Sequence, residues 1–536
     1  MKELLLFQLG SVQEFISQAR STRDLWSGSY LLSWLMAHAI AAITGKYGLR
    51  DDDVVMPSLA NNPLVLALRD LQADVAPAKV LVPNLPNRLL AAVPENKGLE
   101  AGELAKQAVR GELSRIGAAV WQWLRDKAGA KDGWRAAFDA QLAAFPQMAF
   151  ATVPWDGRDS TWKASHDALE ANLAARRNVR DFAQWSGSPF QKDSFSGKEE
   201  AIGDNAFWNR LRQNTLFNKA KNHRYGAVNL VKRLWLRIPA EGEWRQGNYL
   251  ADALNFPARN VRGELIVAST QKLAGQNKTG SPYFAVLAFD GDRMGEKISG
   301  QSDFAGGIQS VSHALSGFAF DRVPGIVKEH DGFLVYAGGD DVLALLPSTR
   351  AIDCARAIET AFEEAGHAQG FTGSCGIAVG HKEAPLQMLV QKARDMEHAA
   401  KEKHGRNALA LALVKRSGEI VEWGCNWDSS ARELDLMATV TKFTAEEKLS
   451  ARFPYALAAL VHPYALKGKN DAMLPVLKAE VRHVLSRQGA NLSEAEREDL
   501  AKDIDLYLDV LGSKARLEDF VNLFLAETFL NRFKGE

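Results

Sequence analysis

The four residues Gly338-Gly339-Asp340-Asp341 set two carboxylates side by side, between apolar runs that mark a hairpin turn. Two carboxylates about 4 Å apart repel by about 4 kcal/mol at an effective dielectric near 20. Presenting both is costly unless a cation lies against them or one acid stays protonated. The glycines permit positive φ and leave room for a phosphate to approach the backbone. A second acid pair, Asp290-Gly291-Asp292, ends another apolar run, so Asp290 and Asp292 join Asp340 and Asp341 as hard oxygen ligands. Such a set suits Mg²⁺ or Mn²⁺ bridging nucleotide phosphates. Two ions about 3.5–4 Å apart would activate a 3′-hydroxyl and stabilise departing pyrophosphate in an in-line attack. The bland alternative is that Gly and Asp merely suit a hairpin turn. The second acid pair, at a strand end in the right order, weighs against it.

The elements that must hold these acids follow from the apolar pattern. Residues 284–289 read as a strand, helical material runs to about 330, and strands at 333–337 and 342–346 flank the turn. A helix over 351–365, a strand over 373–379, a helix opening at Pro385 and a strand over 408–414 complete the unit. This order predicts an α+β palm, an antiparallel-rich sheet with helices on one face. Near the start, 3–9 reads as a strand, followed by Val12, Phe15, Ile16 and Ala19 at helical spacing. Six prolines break 51–98 into short strands and loops, 102–144 is helical around Trp121, Trp123 and Trp134, and the tail from about 428 is helical throughout.

The chain has 536 residues, 46% hydrophobic and 24% charged, which excludes wholesale disorder and suits about three or four domains. Its 65 basic residues balance 65 acidic ones, which argues only against strong free binding to nucleic acid. The balance hides segregation. Residues 205–240 carry no acid but hold Arg210, Arg212, Lys219, Lys221, Arg224, Lys232, Arg233 and Arg237, interleaved with Phe207, Trp208, Phe217 and Tyr225. Basic side chains with stacking aromatics suit an RNA or DNA backbone; a solvated helical face is the alternative. Three cysteines without a CxxC pair exclude a disulfide scaffold, and no zinc is expected. No signal peptide is read at the N-terminus, and the uncharged stretch 26–45 reads as a buried helix rather than a membrane span. A cytoplasmic protein is expected.

Tyr336-Ala337-Gly338-Gly339-Asp340-Asp341 resembles the signature of the cyclase-like palm in the large subunit of type III CRISPR effector complexes. It is more distantly similar to the GGDEF diguanylate cyclases, which favour Glu where Asp341 stands. Ser11-Val12-Gln13-Glu14-Phe15-Ile16, Thr22-Arg23-Asp24-Leu25-Trp26 and Pro86-Asn87-Arg88 resemble the Cmr-type (III-B) form of that subunit. So do Lys192-Asp193-Ser194 with Gly197, Asp290-Gly291-Asp292-Arg293-Met294-Gly295, and Lys401 followed by Gly405-Arg406-Asn407.

The resemblance implies an α+β multidomain chain with two ferredoxin-like, GGDEF-like palm domains. The first palm would span 1–155 with a helical insertion, a helical and basic middle domain 156–270, the catalytic palm 271–425, and a C-terminal helical bundle 426–536. Phe7-Gln8-Leu9-Gly10 stands where Phe289-Asp290-Gly291-Asp292 stands in the second palm, so the first would be catalytically empty.

The implied activity is target-RNA-activated polymerisation of ATP into cyclic oligoadenylates. Asp340 and Asp341 would hold Mg²⁺ or Mn²⁺ and assist deprotonation of the 3′-hydroxyl, with Asp290 as a further ligand. Asp292 or the Gly291 backbone would complete that set. Gly338, Gly339 and Lys401 would face phosphate and Ser374 a ribose. Implied partners are guide RNA, target RNA and other Cmr-type subunits, with Arg210, Arg212, Lys232 and Arg233 as candidate contacts.

The chain also departs from that family. Its only His-Asp dipeptides, His166-Asp167 and His330-Asp331, lack the histidines of a nuclease metal site, and the family's four-cysteine zinc site is missing. No DNase activity is expected. Joining ATP to S-adenosylmethionine, as some relatives without the nuclease domain are thought to do, and a silent RNA-binding scaffold remain the alternatives.

Overall fold

The computed structural model describes residues 1–10, 12–70, 75–179, 191–214, 217, 222–237, 249–254, 267–275, 281–430, 432–465, 473–513 and 517–531. Strand β1 (Lys2–Gly10) carries the consecutive apolar run Leu4–Phe7, fully buried, as a strand covered on both faces requires. The helix Thr22–Tyr47 follows; Ser21 caps it by accepting from Asp24 N at 3.1 Å, and Gly48 ends it at φ +60°. Its middle is core, and among the described residues no helix is long and apolar enough to cross a membrane. With β2 (Val54–Met56), β3 (Arg88–Pro94) and β4 (Gln147–Trp155) it builds around a four-stranded antiparallel sheet of order β2-β3-β1-β4.

Two helices placed by sequence in a separate middle domain attach here instead. Asp159–Asn178 packs Trp162, Leu169 and Leu173 with Leu4, Leu6 and Leu90, and Ala227–Leu234 shares a core with Thr22–Tyr47. Their amphipathic faces are satisfied by the first sheet, so the limit at 156 cuts through continuous packing.

The second sheet holds β5 (Tyr283–Gly291), β6 (Phe333–Gly338), β7 (Asp341–Pro347), β8 (Gly373–His381), β9 (Ala408–Val414) and β10 (Ile420–Asn426). Its order is β10-β9-β8-β5-β7-β6, antiparallel except between β8 and β9. Strand β10 was not expected from sequence; its Glu422 and Gly424 interrupt the apolar signal, and it returns from β9 through Gly418 at φ +91°.

Helices cover both faces of this sheet, not one. Phe284, Val286 and Ala288 share a core with the helix Leu386–Glu402 and with first-sheet residues. Ala285, Leu287 and Phe289 face Ala351–Ala365 and the C-terminal helices from Glu433–Ala445 to Leu517–Asn531. Consecutive apolar residues along β5 demand two covers. The helix Leu386–Glu402 comes so close that a Cβ on Gly376 would lie 2.1 Å from Ala393 O.

Candidate active site

The register Gly338↔Asp341 leaves Gly339 and Asp340 as a two-residue hairpin turn. Gly339 has φ +76° and Asp340 does not share the positive φ, the pattern of a type II′ turn. Gly291 N donates to Asp340 O at 3.2 Å, pinning the turn to the end of β5. A Cβ on Gly338 would collide with the Tyr336 hydroxyl at 1.9 Å and its ring at 2.3 Å, whereas one on Gly339 would meet open space. Gly338 is therefore a packing glycine, and Gly339 leaves the backbone open to an approaching group.

Asp290, Asp340 and Asp341 are brought together at these adjoining ends, and the Asp290 charge acts on both members of the hairpin pair. Burial raises the Asp340 carboxyl strongly, with Asp290 and Asp341 adding to it. Burial also pushes Asp341 up to about 6, with Asp290 and Glu397 in support and Arg394 and Lys401 opposed. Lys401 ion-pairs with Asp290 and with Glu397, the latter at 2.6 Å. Burial works against the Lys401 ammonium, but these carboxylates outweigh it and raise its pKa. Arg394, Glu397 and Lys401 recur at i, i+3 and i+7 on one helix face. Sequence reading found only Lys401; the spacing beside the apolar Leu389, Val390 and Ala393 was the available signal for the others.

Among the described residues, no three His, Cys, Asp or Glu side chains gather tightly enough to hold an ion as they stand. The donor chemistry nevertheless fits a hard divalent cation. Counting Glu397, four carboxylates, Asp340 and Asp341 among them with raised pKa values, face only Lys401 and Arg394, so further positive charge is called for.

Asp292 does not belong to that set. It is buried, Oδ1 accepting from Ser374 Oγ at 2.8 Å and Oδ2 from Asn407 N at 2.8 Å. Ser374 is 0% exposed, so the expected ribose contact gives way to a bond that ties β8 to the end of β5. Both corrections have one cause: Asp292 lies beyond the strand, where its own N–H bonds Thr372 O at 2.8 Å and turns it inward.

The basic stretch is also corrected. Lys232 is 0% exposed, with Nζ on Phe15 O and on Gln18 O (2.9 Å). Burial pushes its ammonium down to about 7. Gly28 makes room for it, since a Cβ there would lie 2.6 Å from Lys232 Cε. Phe207, Trp208, Phe217 and Tyr225 are core residues, not stacking platforms. Arg210 Nε closes the helix Gly98–Ala128 through Ala128 O at 2.9 Å, and Arg212 Nη1 bonds Asn209 at 2.9 Å. Arg233 pairs with Asp24 at 3.2 Å and donates to Tyr225 at 2.6 Å. Lys219 and Lys221 lie outside the described residues.

The site adjoins the first sheet's unit. Ala337 N donates to Pro83 O at 3.0 Å, and Tyr336 lines one small cavity with Leu85, Pro86 and Asn87.

Residues 283–410 match the family model "Cas10/Cmr2, second palm domain", and 4–127 match "CRISPR-associated protein Cmr2, N-terminal". The CRISPR system Cmr subunit Cmr2 of Pyrococcus furiosus is 24% identical, the alignment covering 98% of this chain and 74% of that protein. Among solved structures, the type III-B Cmr-beta apo state superposes at TM-score 0.64 with 13% identity, over 91% of this chain and 77% of that one. Cmr-beta bound to cognate target RNA gives 0.61 with 12% identity, over 92% and 79%. The Csm1-Csm4 cassette in complex with cA4 gives 0.53 with 14% identity, over 97% and 70%. These superpositions show a shared fold. With both family models matched in order and similarity along nearly the whole sequence, the chain is a homologue of the Cmr subunit Cmr2 and carries a Cas10/Cmr2 palm domain.

Proposed function

We propose that the chain is the large subunit of a type III-B Cmr complex and that its second palm is a nucleotidyltransferase making cyclic oligoadenylates from ATP. The observation that carries this reading is the meeting of Asp290, Asp340 and Asp341 at adjoining strand ends, with the Asp340 and Asp341 carboxyls raised by burial and by the neighbouring Asp290 charge. The Csm1-Csm4 cassette, which shares the fold, has been solved with cA4, and Cmr-beta with cognate target RNA. In this reading the first sheet is a catalytically empty palm, the C-terminal helices form a bundle, and guide RNA, target RNA and other Cmr subunits are the partners in the cytoplasm.

In the reaction, the 3′-oxygen of one ATP bonds to the α-phosphorus of another as the bond to pyrophosphate breaks. Bound Mg²⁺ or Mn²⁺ would supply charge neutralisation at the phosphates. Asp290, Asp340 and Asp341 would hold it, and the hydroxyl proton passes to the Asp340–Asp341 pair. Lys401 moves from Asp290 to the departing phosphates, and Gly339 lets the chain approach them.

The test assembles the complex with guide RNA, adds target RNA, ATP and Mg²⁺ or Mn²⁺, and identifies products by mass spectrometry, with and without S-adenosylmethionine. Cyclic oligoadenylates are expected. No nucleotide product under any condition sinks the enzyme reading, and an adduct only with S-adenosylmethionine replaces the acceptor.

A further inference from the structure

Lys401 is held by two carboxylates at once. Its Nζ ion-pairs with Asp290 Oδ2 and, at 2.6 Å, with Glu397 Oε1, and the Lys401 and Glu397 side chains are only 14% and 15% exposed. Glu397 stands four residues before Lys401, the order of acid and base that favours a pair on a helix. The two carboxylates differ in their other neighbours. Asp290 lies beside Asp340 and Asp341, where a divalent cation would be held, whereas the ion pair of Glu397 is with Lys401.

The backbone fixes where each partner stands. A Cβ on Gly376 would lie 2.1 Å from Glu397 N as well as from Ala393 O, so the helix Leu386–Glu402 rests directly on strand β8 there. Gly376 is in register with Ala288, and Ser374 with Asp290. Two strand residues advance about 7 Å and four helical residues about 6 Å, so Glu397 stands over the first rung and Lys401 over the second. With so little clearance the helix cannot slide along the sheet. Any motion of the Lys401 ammonium is a swing of its own side chain about a fixed stem.

We propose that Glu397 is a positioning residue: it is the berth that keeps Lys401 at the site when a divalent cation takes Asp290. In the cation-free chain Lys401 serves Asp290 as its counter-ion. A cation arriving at Asp290 repels that ammonium and must displace it. Displacement costs less when a second carboxylate already holds the ammonium, because a half-buried charge is not left without a partner. Glu397 thus acts through Lys401 and touches neither the ion nor the nucleotide. The inference rests on the transferase reading for Asp290 as a metal ligand. Its readout is cation binding to the chain alone, so it and the product assay fail separately.

The test titrates Mn²⁺ into the full-length chain, without nucleotide or RNA, and counts the unbound ion by its electron paramagnetic resonance signal. Glu397→Gln is expected to weaken Mn²⁺ binding about tenfold, because Lys401 then has only Asp290 to pair with and holds it against the ion. Lys401→Met should tighten binding, and Glu397→Gln added to Lys401→Met should change it by less than about twofold. Equal losses from Glu397→Gln with and without Lys401 would show Glu397 acting on the ion directly and would overturn the proposal. So would an unchanged affinity in Glu397→Gln, whatever its thermal midpoint, or a parent chain that binds no Mn²⁺. If Glu397→Gln does not fold, Glu397→Asp draws the carboxylate back by one bond and carries the same test. A loss of affinity that disappears beside Lys401→Met supports the berth, and no loss overturns it.

Discussion

Strand β1 ends on Gln8-Leu9-Gly10 and β5 on Phe289-Asp290-Gly291, and each strand lies between two antiparallel neighbours in its own sheet. The end of β1 is closed off by its surroundings. Leu9 N donates to Asn87 O at 2.9 Å, and Asn87 Nδ2 returns a bond to Leu9 O at 3.0 Å. The end of β5 instead holds a carboxylate against a lysine, beside a hairpin that presents two more. The cations differ in the same way. Lys232 binds backbone carbonyls beneath the first sheet's helices, whereas Lys401 binds Asp290 and Glu397. Similar frames thus carry opposite electrostatics.

The most severe way to break this contrast is to give the second sheet the first sheet's residue. Asp290→Gln should lower nucleotide product by roughly 10²-fold or more, the scale of losing one preorganised charge-stabilising group. Gln8→Ala in the first sheet should leave product formation unchanged. Both are read by mass spectrometry in the assembled complex with target RNA. Full activity in Asp290→Gln would remove β5 from the site.

A smaller effect appears in stability. A carboxyl with a higher pKa in the folded chain than in the unfolded one favours folding only while protonated. For Asp341 that contribution is complete below the ordinary value of 3.8 and is lost as pH rises through about 6. At neutral pH with chelator present, Asp341→Asn should raise the thermal midpoint by a few degrees, and the gain should vanish near pH 4. Added Mn²⁺ should stabilise the parent chain more than the variant. A lower midpoint for Asp341→Asn at pH 7 would show that the charge is already compensated. The first sheet, whose corresponding end lacks such acids, offers no counterpart.

Period and punctuation made most of the second sheet legible: five of its six strands and the helix Leu386–Glu402 follow from apolar runs bounded by Gly, Pro and Asp. Strand β10 did not, because Glu422 and Gly424 dilute its pattern and its place is fixed by pairing with β9. The Asp290, Asp340 and Asp341 positions were legible because acids at strand ends have few structural uses. Asp292, Ser374 and Lys232 were misplaced because residue type does not say which way a side chain turns. Lys232 has the composition of a surface lysine, and only Gly28 and the carbonyls of Phe15 and Gln18, more than two hundred positions away, make it a core residue.

The finest distinction is between a serine that touches nucleotide and one that supports the strand carrying the acid. Ser374 Oγ donates to Asp292 Oδ1, whose partner oxygen takes Asn407 N, so one carboxylate joins β8, the end of β5 and the start of β9. Ser374→Ala removes one of two bonds from a buried acid and leaves Oδ1 unsatisfied, a loss of about 1–3 kcal/mol. The cost should appear in the denaturant midpoint of the full-length chain. The KM for ATP should not move, because the hydroxyl is sealed beneath the sheet end. A raised KM without loss of stability would place Ser374 at the nucleotide after all. The opposite pattern would leave Asp290, one pleat away in register with Ser374, as the β5 residue that faces substrate.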